Sequence, residues 1–519
     1  MGRLPSGCPT SASAAGSIRR KCVPSQNEKL LTGIPEFDLV LRGGLAKGRV
    51  HLLQGDPGSG KTTIATQFLL EGVKRKGARG LYVSMSESAE ELRSSAASHG
   101  WDLSAIEIFD LVPLEAQLDE QQTVLFPSEI ELSETVKLIT DKITETDPDR
   151  VVIDSLSDLR LLASDPLRYR RQILTLKQFL QGRHCTTLLL DDRTTDVGGK
   201  DLHSVVHGVI SLEQMERSYG AVRRRVAVTK MRGSNYQSGW HDFAITTGEV
   251  LVFPSLIAEE HSSDFEKGTV RSGLAELDDL LGGGLDRGTV NMFVGPSGAG
   301  KSTLALAYVM AAIRREERAA YFSFDETFRT LAERGRALKF DVEEAVKQGK
   351  LGWQRANPSR LSPGEFVWQV RHQVEQQKAR IVVIDSLNSY LGTMPEEQAL
   401  VLQMHELLTY LNNKGIVTIL ILAQQGVVGD VTNPIDLSFL SDTVVLLRFF
   451  EAQGQVRKAI SVVKKRTGVH ELAIREYRLF PHGMKVGPPL SDFKGVLTGV
   501  PTYVGASGPL LPEDAAETD

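Results

Sequence analysis

Short aliphatic runs recur along this chain at intervals that a helix would fill. Residues 50–54, 81–85 and 151–153 are mostly apolar and lack strict polar alternation, as expected of strands buried on both faces. Amphipathic stretches with helical spacing lie between them. The same order returns in the second half at 290–294, 320–324 and 381–384. Such alternation predicts an α/β protein: two tandem domains, each a mostly parallel central sheet flanked by helices.

The two halves are a repeat. Gly33-Ile34-Pro35-Glu36-Phe37-Asp38 ahead of Gly43-Gly44-Leu45 recurs as Gly273-Leu274-Ala275-Glu276-Leu277-Asp278 ahead of Gly283-Gly284-Leu285, a step of 240 residues (273 − 33). A period this long marks a duplicated domain rather than a solenoid unit. The expected division is a disordered leader over 1–27, a first domain over 28–254, a second over 255–487 and a flexible tail over 488–519. The tail carries Glu513, Asp514, Glu517 and Asp519.

Each half holds one phosphate-binding loop. Gly295-Pro296-Ser297-Gly298-Ala299-Gly300-Lys301-Ser302, followed by Thr303, fits G-x-x-x-x-G-K-[ST] at every fixed position. Gly55-Asp56-Pro57-Gly58-Ser59-Gly60-Lys61-Thr62, followed by Thr63, fits it again. The glycines let backbone N–H groups turn inward onto phosphate oxygens, and the lysine reaches the β/γ-phosphates of ATP. Thr62 and Ser302 offer hydroxyls to Mg²⁺. Asp154 and Asp385 end apolar strands and supply the carboxylate behind that metal. A neighbouring strand ends in Ser86-Glu87 in the first copy and Asp325-Glu326 in the second. Glu87, Asp325 and Glu326 are the candidates to orient or deprotonate the nucleophile attacking the γ-phosphate. With Glu87 alone, slow hydrolysis is expected of the first copy.

Basic residues recur late in each copy: Lys230 and Arg232, then Lys464, Lys465 and Arg466. On one strand face such residues would reach a phosphate across a subunit boundary, although a solvated strand edge has the same pattern. The net charge of −5 gives no global attraction to nucleic acid or to an anionic membrane. The three cysteines, Cys8, Cys22 and Cys185, lack metal-ligand spacing and suit a reducing cytoplasm. No apolar run is long enough to span a bilayer.

Together these features resemble the KaiC family of circadian-clock ATPases, in the RecA-like branch of P-loop NTPases, over residues 30–487. The most specific stretch is Ser438-Phe439-Leu440-Ser441-Asp442-Thr443, followed by Arg457-Lys458-Ala459-Ile460, Lys464-Lys465-Arg466 and Ala473-Ile474-Arg475-Glu476. The resemblance implies a double-ring homohexamer with ATP between subunits, a slow first-ring ATPase and a second-ring autokinase. It makes Lys230, Arg232, Lys464, Lys465 and Arg466 trans contacts to phosphate, and places the phosphoacceptor pair at Ser438 and Phe439. Phenylalanine has no hydroxyl, so a one-site switch at Ser438 replaces a two-site cycle. A KaiB-type partner is expected; a KaiA-type activator is not.

Two rivals stand beside the autokinase. An ATP-regulated scaffold would carry Ser438 at an interface without phosphorylating it. A RecA-like nucleic-acid motor would need exposed basic loops with interleaved aromatics, for which Arg223-Arg224-Arg225 is the best candidate run.

Overall fold

The computed structural model describes residues 28–74, 77–111, 128–163, 165–193, 199–216, 220–357, 359–392, 397–424, 438–480, 483–498 and 502–505. Two nine-stranded sheets organise them. The first comprises β1 (Val50–Gly55), β2 (Gly80–Ser84), β3 (Ile106–Asp110), β4 (Arg150–Asp154), β5 (Thr186–Asp192), β6 (Gly208–Met215), β7 (Arg223–Met231), β8 (Trp240–Thr246) and β9 (Glu249–Phe253). Its order is β9-β8-β7-β6-β1-β5-β4-β2-β3. The second comprises β10 (Val290–Gly295), β11 (Arg318–Ser323), β12 (Leu351–Arg355), β13 (Ala379–Asp385), β14 (Val417–Ala423), β15 (Thr443–Ala452), β16 (Gln455–Lys465), β17 (Arg475–Phe480) and β18 (Gly483–Pro489). Its order, β18-β17-β16-β15-β10-β14-β13-β11-β12, repeats the first strand for strand.

The loop-bearing strand sits mid-sheet in both. β1 pairs in parallel with β5 and β6, and β10 with β14 and β15. β15 to β18 then form an antiparallel meander. Every residue of β1 and β10 is buried. Helices on both faces explain why these runs lack polar alternation. In β13, Ile381 and Val383 enter one core cluster while Val382 and Ile384 enter another, as a two-residue period dictates. Helix α1 (Lys61–Val73) follows the first loop, and α2 (Lys301–Arg314) the second.

The expected flexible tail is corrected in part. Residues 488 and 489 belong to β18, and among the described residues beyond them Phe493–Lys494 pairs antiparallel with Thr502–Tyr503. The cause is apolar spacing that a Gly/Pro count misses. Leu490 and Val496 are buried with Phe450, and the Phe493 ring lies 5.7 Å from that of Phe450 and 5.2 Å from that of Tyr503. The leader over 1–27 and the tail acids fall outside the described residues. No helix among those described is long and apolar enough to cross a membrane.

Candidate nucleotide sites

Each loop is closed by its own lysine. Gly58 (φ 76°) and Gly60 (φ 101°) take left-handed backbone, and Gly298 (φ 79°) and Gly300 (φ 99°) reproduce it. The turn they make carries Lys61 Nζ back onto Gly55 O (2.9 Å) and Asp56 O (3.0 Å). Lys301 Nζ meets Gly295 O and Pro296 O, both at 2.8 Å. Burial pushes the Lys301 ammonium down to about 8 against the attraction of Asp385. Lys61 has a third partner, the Asp192 carboxylate at 2.6 Å.

A tyrosine fixes the strand-end aspartate in both copies. Tyr82 donates to Asp154 Oδ2 at 2.5 Å, and Tyr321 to Asp385 Oδ2 at 2.6 Å. Thr62 Oγ1 donates to the same Asp154 oxygen at 3.1 Å, bringing the expected metal hydroxyl and carboxylate together. Ser302 and Asp385 line one cleft of about 580 Å³ with Lys301, Asp325, Glu326 and Arg334, within the range of ligand sites. Burial raises the Asp154 carboxyl although Tyr82, Thr62 and Lys61 oppose the shift.

The two glutamates are held alike. Ser84 Oγ donates to Glu87 O and accepts from Glu87 N (2.6 and 3.2 Å); Ser323 does the same for Glu326 at 3.0 Å each. Burial raises both carboxyls, with Asp154 adding to Glu87 and Asp385 adding to Glu326. Among the described residues only Glu326 has a facing cation: Arg334 Nη2 lies 2.7 Å from its Oε2 and pulls its pKa back down. Asp325 is tied differently, accepting from Ser386 (2.9 Å) and Ser389 (2.7 and 2.8 Å). That engagement separates the acid pair: Glu326 stands where Glu87 does, and Asp325 braces the turn after β13.

The family profile for the KaiC ATPase matches residues 30–257 and matches again at 270–491. The chain belongs to the KaiC ATPase family. It is similar to the circadian clock protein KaiC3 of Synechocystis sp. (strain ATCC 27184 / PCC 6803 / Kazusa), 27% identical over 489 residues, covering 92% of this chain and 96% of the relative. It is similar also to the circadian clock oscillator protein KaiC of Acaryochloris marina (27% over 494 residues, 92% of each). The protein of that name from Prochlorococcus marinus (strain MIT 9313) is 28% identical over 500 residues, 95% of this chain and 98% of the relative. A KaiC-type ATPase domain implies nucleotide binding, and this chain carries two.

Within this KaiC-family chain the late basic side chains bond to groups outside the phosphate loops. Lys230 Nζ donates to His203 O and to Val206 O (3.0 Å), and Arg232 Nη2 to Ser204 O (2.7 Å). Lys464 Nζ donates to Ser441 O at 2.7 Å, and half-exposed Arg466 lies 3.5 Å from Asp442. Lys465 differs from its two basic neighbours. Its side chain is 2% exposed and bonded to Leu281 O (2.6 Å) and Gly284 O (3.2 Å), with Asp286 at 3.5 Å. Adjacent strand residues point to opposite faces, so Lys465 turns inward between Lys464 and Arg466. Ser438 opens a short 3₁₀ turn, Ser438–Leu440, and its side chain is outside the described residues; the ring of Phe439 beside it is 54% exposed. The arginine run does not form an open basic patch. Arg223 is buried, and Arg225 pairs with Glu213 (2.9 Å) and covers the Trp240 ring.

Sequence reasoning missed Tyr82, Tyr321, Arg334 and Asp192. The tyrosines had a signal: each is the tyrosine of the matched strands at 81–85 and 320–324, and a polar ring amid apolar residues needs a partner. Arg334 and Asp192 had none, because neither occurs in both copies.

Proposed function

We propose that both copies of this KaiC-family ATPase bind and hydrolyse Mg·ATP, and that the second copy phosphorylates Ser438 of a neighbouring chain within a double-ring homohexamer. The observation that carries the reading is the doubled set of loop lysine, strand-end aspartate under a tyrosine hydroxyl, and nearby glutamate of raised pKa. The oxygen donors suit Mg²⁺, which is usually held by one or two protein oxygens, water and substrate phosphates. No cluster of three or more acidic, His or Cys side chains that could cage a metal occurs among the described residues. Thr62 with Asp154, and Ser302 with Asp385, would hold Mg²⁺, which supplies charge neutralisation on the phosphate oxygens.

In the transfer, Ser438 Oγ forms a bond to the γ-phosphorus while the bond to the β,γ-bridging oxygen breaks and ADP departs. Glu326 accepts the serine proton, a task suited to a carboxylate whose pKa burial raises above its ordinary value. Arg466 and Lys464 of the adjacent chain steady the γ-phosphate, and Glu87 orients water in the first copy. Phosphate on Ser438 adds nearly two negative charges at an interface, enough to bias ring packing and binding of a KaiB-type partner. One observation favours the scaffold reading instead: Phe439 leaves Ser438 without a second acceptor beside it. Peptide mass spectrometry after incubation with Mg·ATP separates the two. One phosphate on Ser438, absent from Ser438→Ala and Lys301→Ala, is the expected result. ATP consumption with no phosphopeptide overturns the kinase and leaves an ATP-driven assembly switch.

A further inference from the structure

Two adjacent carboxylates leave the end of β5 in different directions. Asp191 accepts two hydrogen bonds from Arg160 Nη2 (3.0 and 2.9 Å) and one from Ser157 Oγ (3.2 Å). Asp192 is fixed through its backbone, whose N–H donates to Ser157 Oγ at 3.0 Å. Its side chain turns the other way and meets Lys61 Nζ at 2.6 Å. Strand register sets Asp192 beside Gly55, the first residue of the loop. In the second copy the register partner of Gly295 is Ala423, whose backbone is clasped by the Asn388 amide (2.8 and 2.9 Å), and Leu422 replaces Asp191.

A lysine ammonium has three hydrogens. On Lys61 two are directed at the loop carbonyls of Gly55 and Asp56, and the third direction meets a carboxylate. Lys301 makes the same two carbonyl bonds, and a methyl group stands where that carboxylate would be. The Lys61 head is 8% exposed and Asp192 29%, so the pair is only partly screened by water.

We propose that Asp192 is a built-in stand-in for phosphate in the first site, holding Lys61 until the terminal phosphates of a nucleotide displace it. Binding there exchanges one anion for another, whereas the second site receives phosphate on a lysine free of this competition. The proposal rests on the reading of the first loop as an ATP site. It applies to ligands whose β- or γ-phosphate reaches the lysine, ATP and ADP, and not to AMP.

The test is calorimetric titration of full-length Lys301→Ala protein, in which the first loop is the intact one, with ATP, ADP and AMP, beside Lys301→Ala/Asp192→Asn. Asparagine keeps the shape and removes the charge. A charge-assisted contact of this kind, discounted for its exposure, corresponds to about tenfold in affinity. ATP and ADP should bind roughly tenfold tighter to the asparagine variant, with AMP unchanged. Asp192→Glu should keep the weaker binding. The reciprocal Ala423→Asp, in a Lys61→Ala background, should weaken ATP at the second site by a similar factor. Unchanged or weaker ATP binding by Asp192→Asn overturns the proposal while leaving the first loop an ATP site. Absence of ATP binding by the Lys301→Ala protein itself overturns both.

Discussion

Arg334 is the clearest handle on the chemistry of the second site. Its Nη2 stands 2.7 Å from Glu326 Oε2, with the two side chains 26% and 16% exposed. Burial and Asp385 push the Glu326 carboxyl up while Arg334 pulls it down. Arg334→Gln removes the cation that faces it among the described residues, so the pKa rises further. A base must be ionised to accept a proton, so activity is lost at a higher pH as the solution is acidified. A hydrogen bond to a charged group contributes about 1.5–3 kcal/mol, and the lower value suits a partly exposed pair. About 1.4 kcal/mol is tenfold in the ionised fraction. The expected result is a roughly tenfold lower rate on the acid limb and little change on the alkaline plateau. Lysine at this position should restore part of the loss. Initial ATPase rates of Lys61→Ala protein, with and without Arg334→Gln, measured from pH 5 upward in about half-unit steps, read the second site. Superimposable pH profiles would refute the assignment of Glu326 as the base.

Three further outcomes follow from the geometry. Tyr321→Phe strips the donor from the buried Asp385 carboxylate and should lower stability by about 1.5–3 kcal/mol; an unfolding curve matching wild type would contradict it. Gly300→Ala forces a side chain into left-handed backbone, at about 1–2 kcal/mol, with its Cβ 3.2 Å from Leu479 Cδ1. Loss of ATP binding by the second site is expected in titration, and normal affinity would show that the loop tolerates the change. Arg457→Met leaves Glu476, 2% exposed, without its closest cation at 3.1 Å. That should cost about 3–5 kcal/mol, with recovery in the Arg457→Met/Glu476→Gln double variant read by thermal denaturation.

The frame was legible because its signals are local. A glycine pattern, an apolar run and a terminal aspartate each occupy a few consecutive residues, and duplication displayed them twice. The residues that set the character of each site come from farther away. Tyr321 reaches Asp385 across 64 residues, and Lys61 reaches Asp192 only through the pairing of β1 with β5. Lys464, Lys465 and Arg466 read as one basic cluster in sequence, yet strand geometry sends Lys465 into a buried pairing with Asp286. Likewise Asp325 and Glu326 are neighbours with different duties: one is tied to Ser386 and Ser389, the other to Arg334. The ordered segment past residue 489 was hidden by its glycines and prolines, because only the spacing of Leu490, Phe493 and Val496 reveals a packing face.

The strand-for-strand agreement of the two sheets has a consequence for gene dosage. Because both sites lie on one polypeptide, synthesis delivers them in a fixed one-to-one ratio, and no change in expression can alter that balance. Differences between the sites must be written in side chains: Asp192 against Ala423, Ser86 against Asp325. Covalent tandem duplication thus turns the proportion between the two ATPase domains into an inherited constant, insulated from fluctuations in protein abundance.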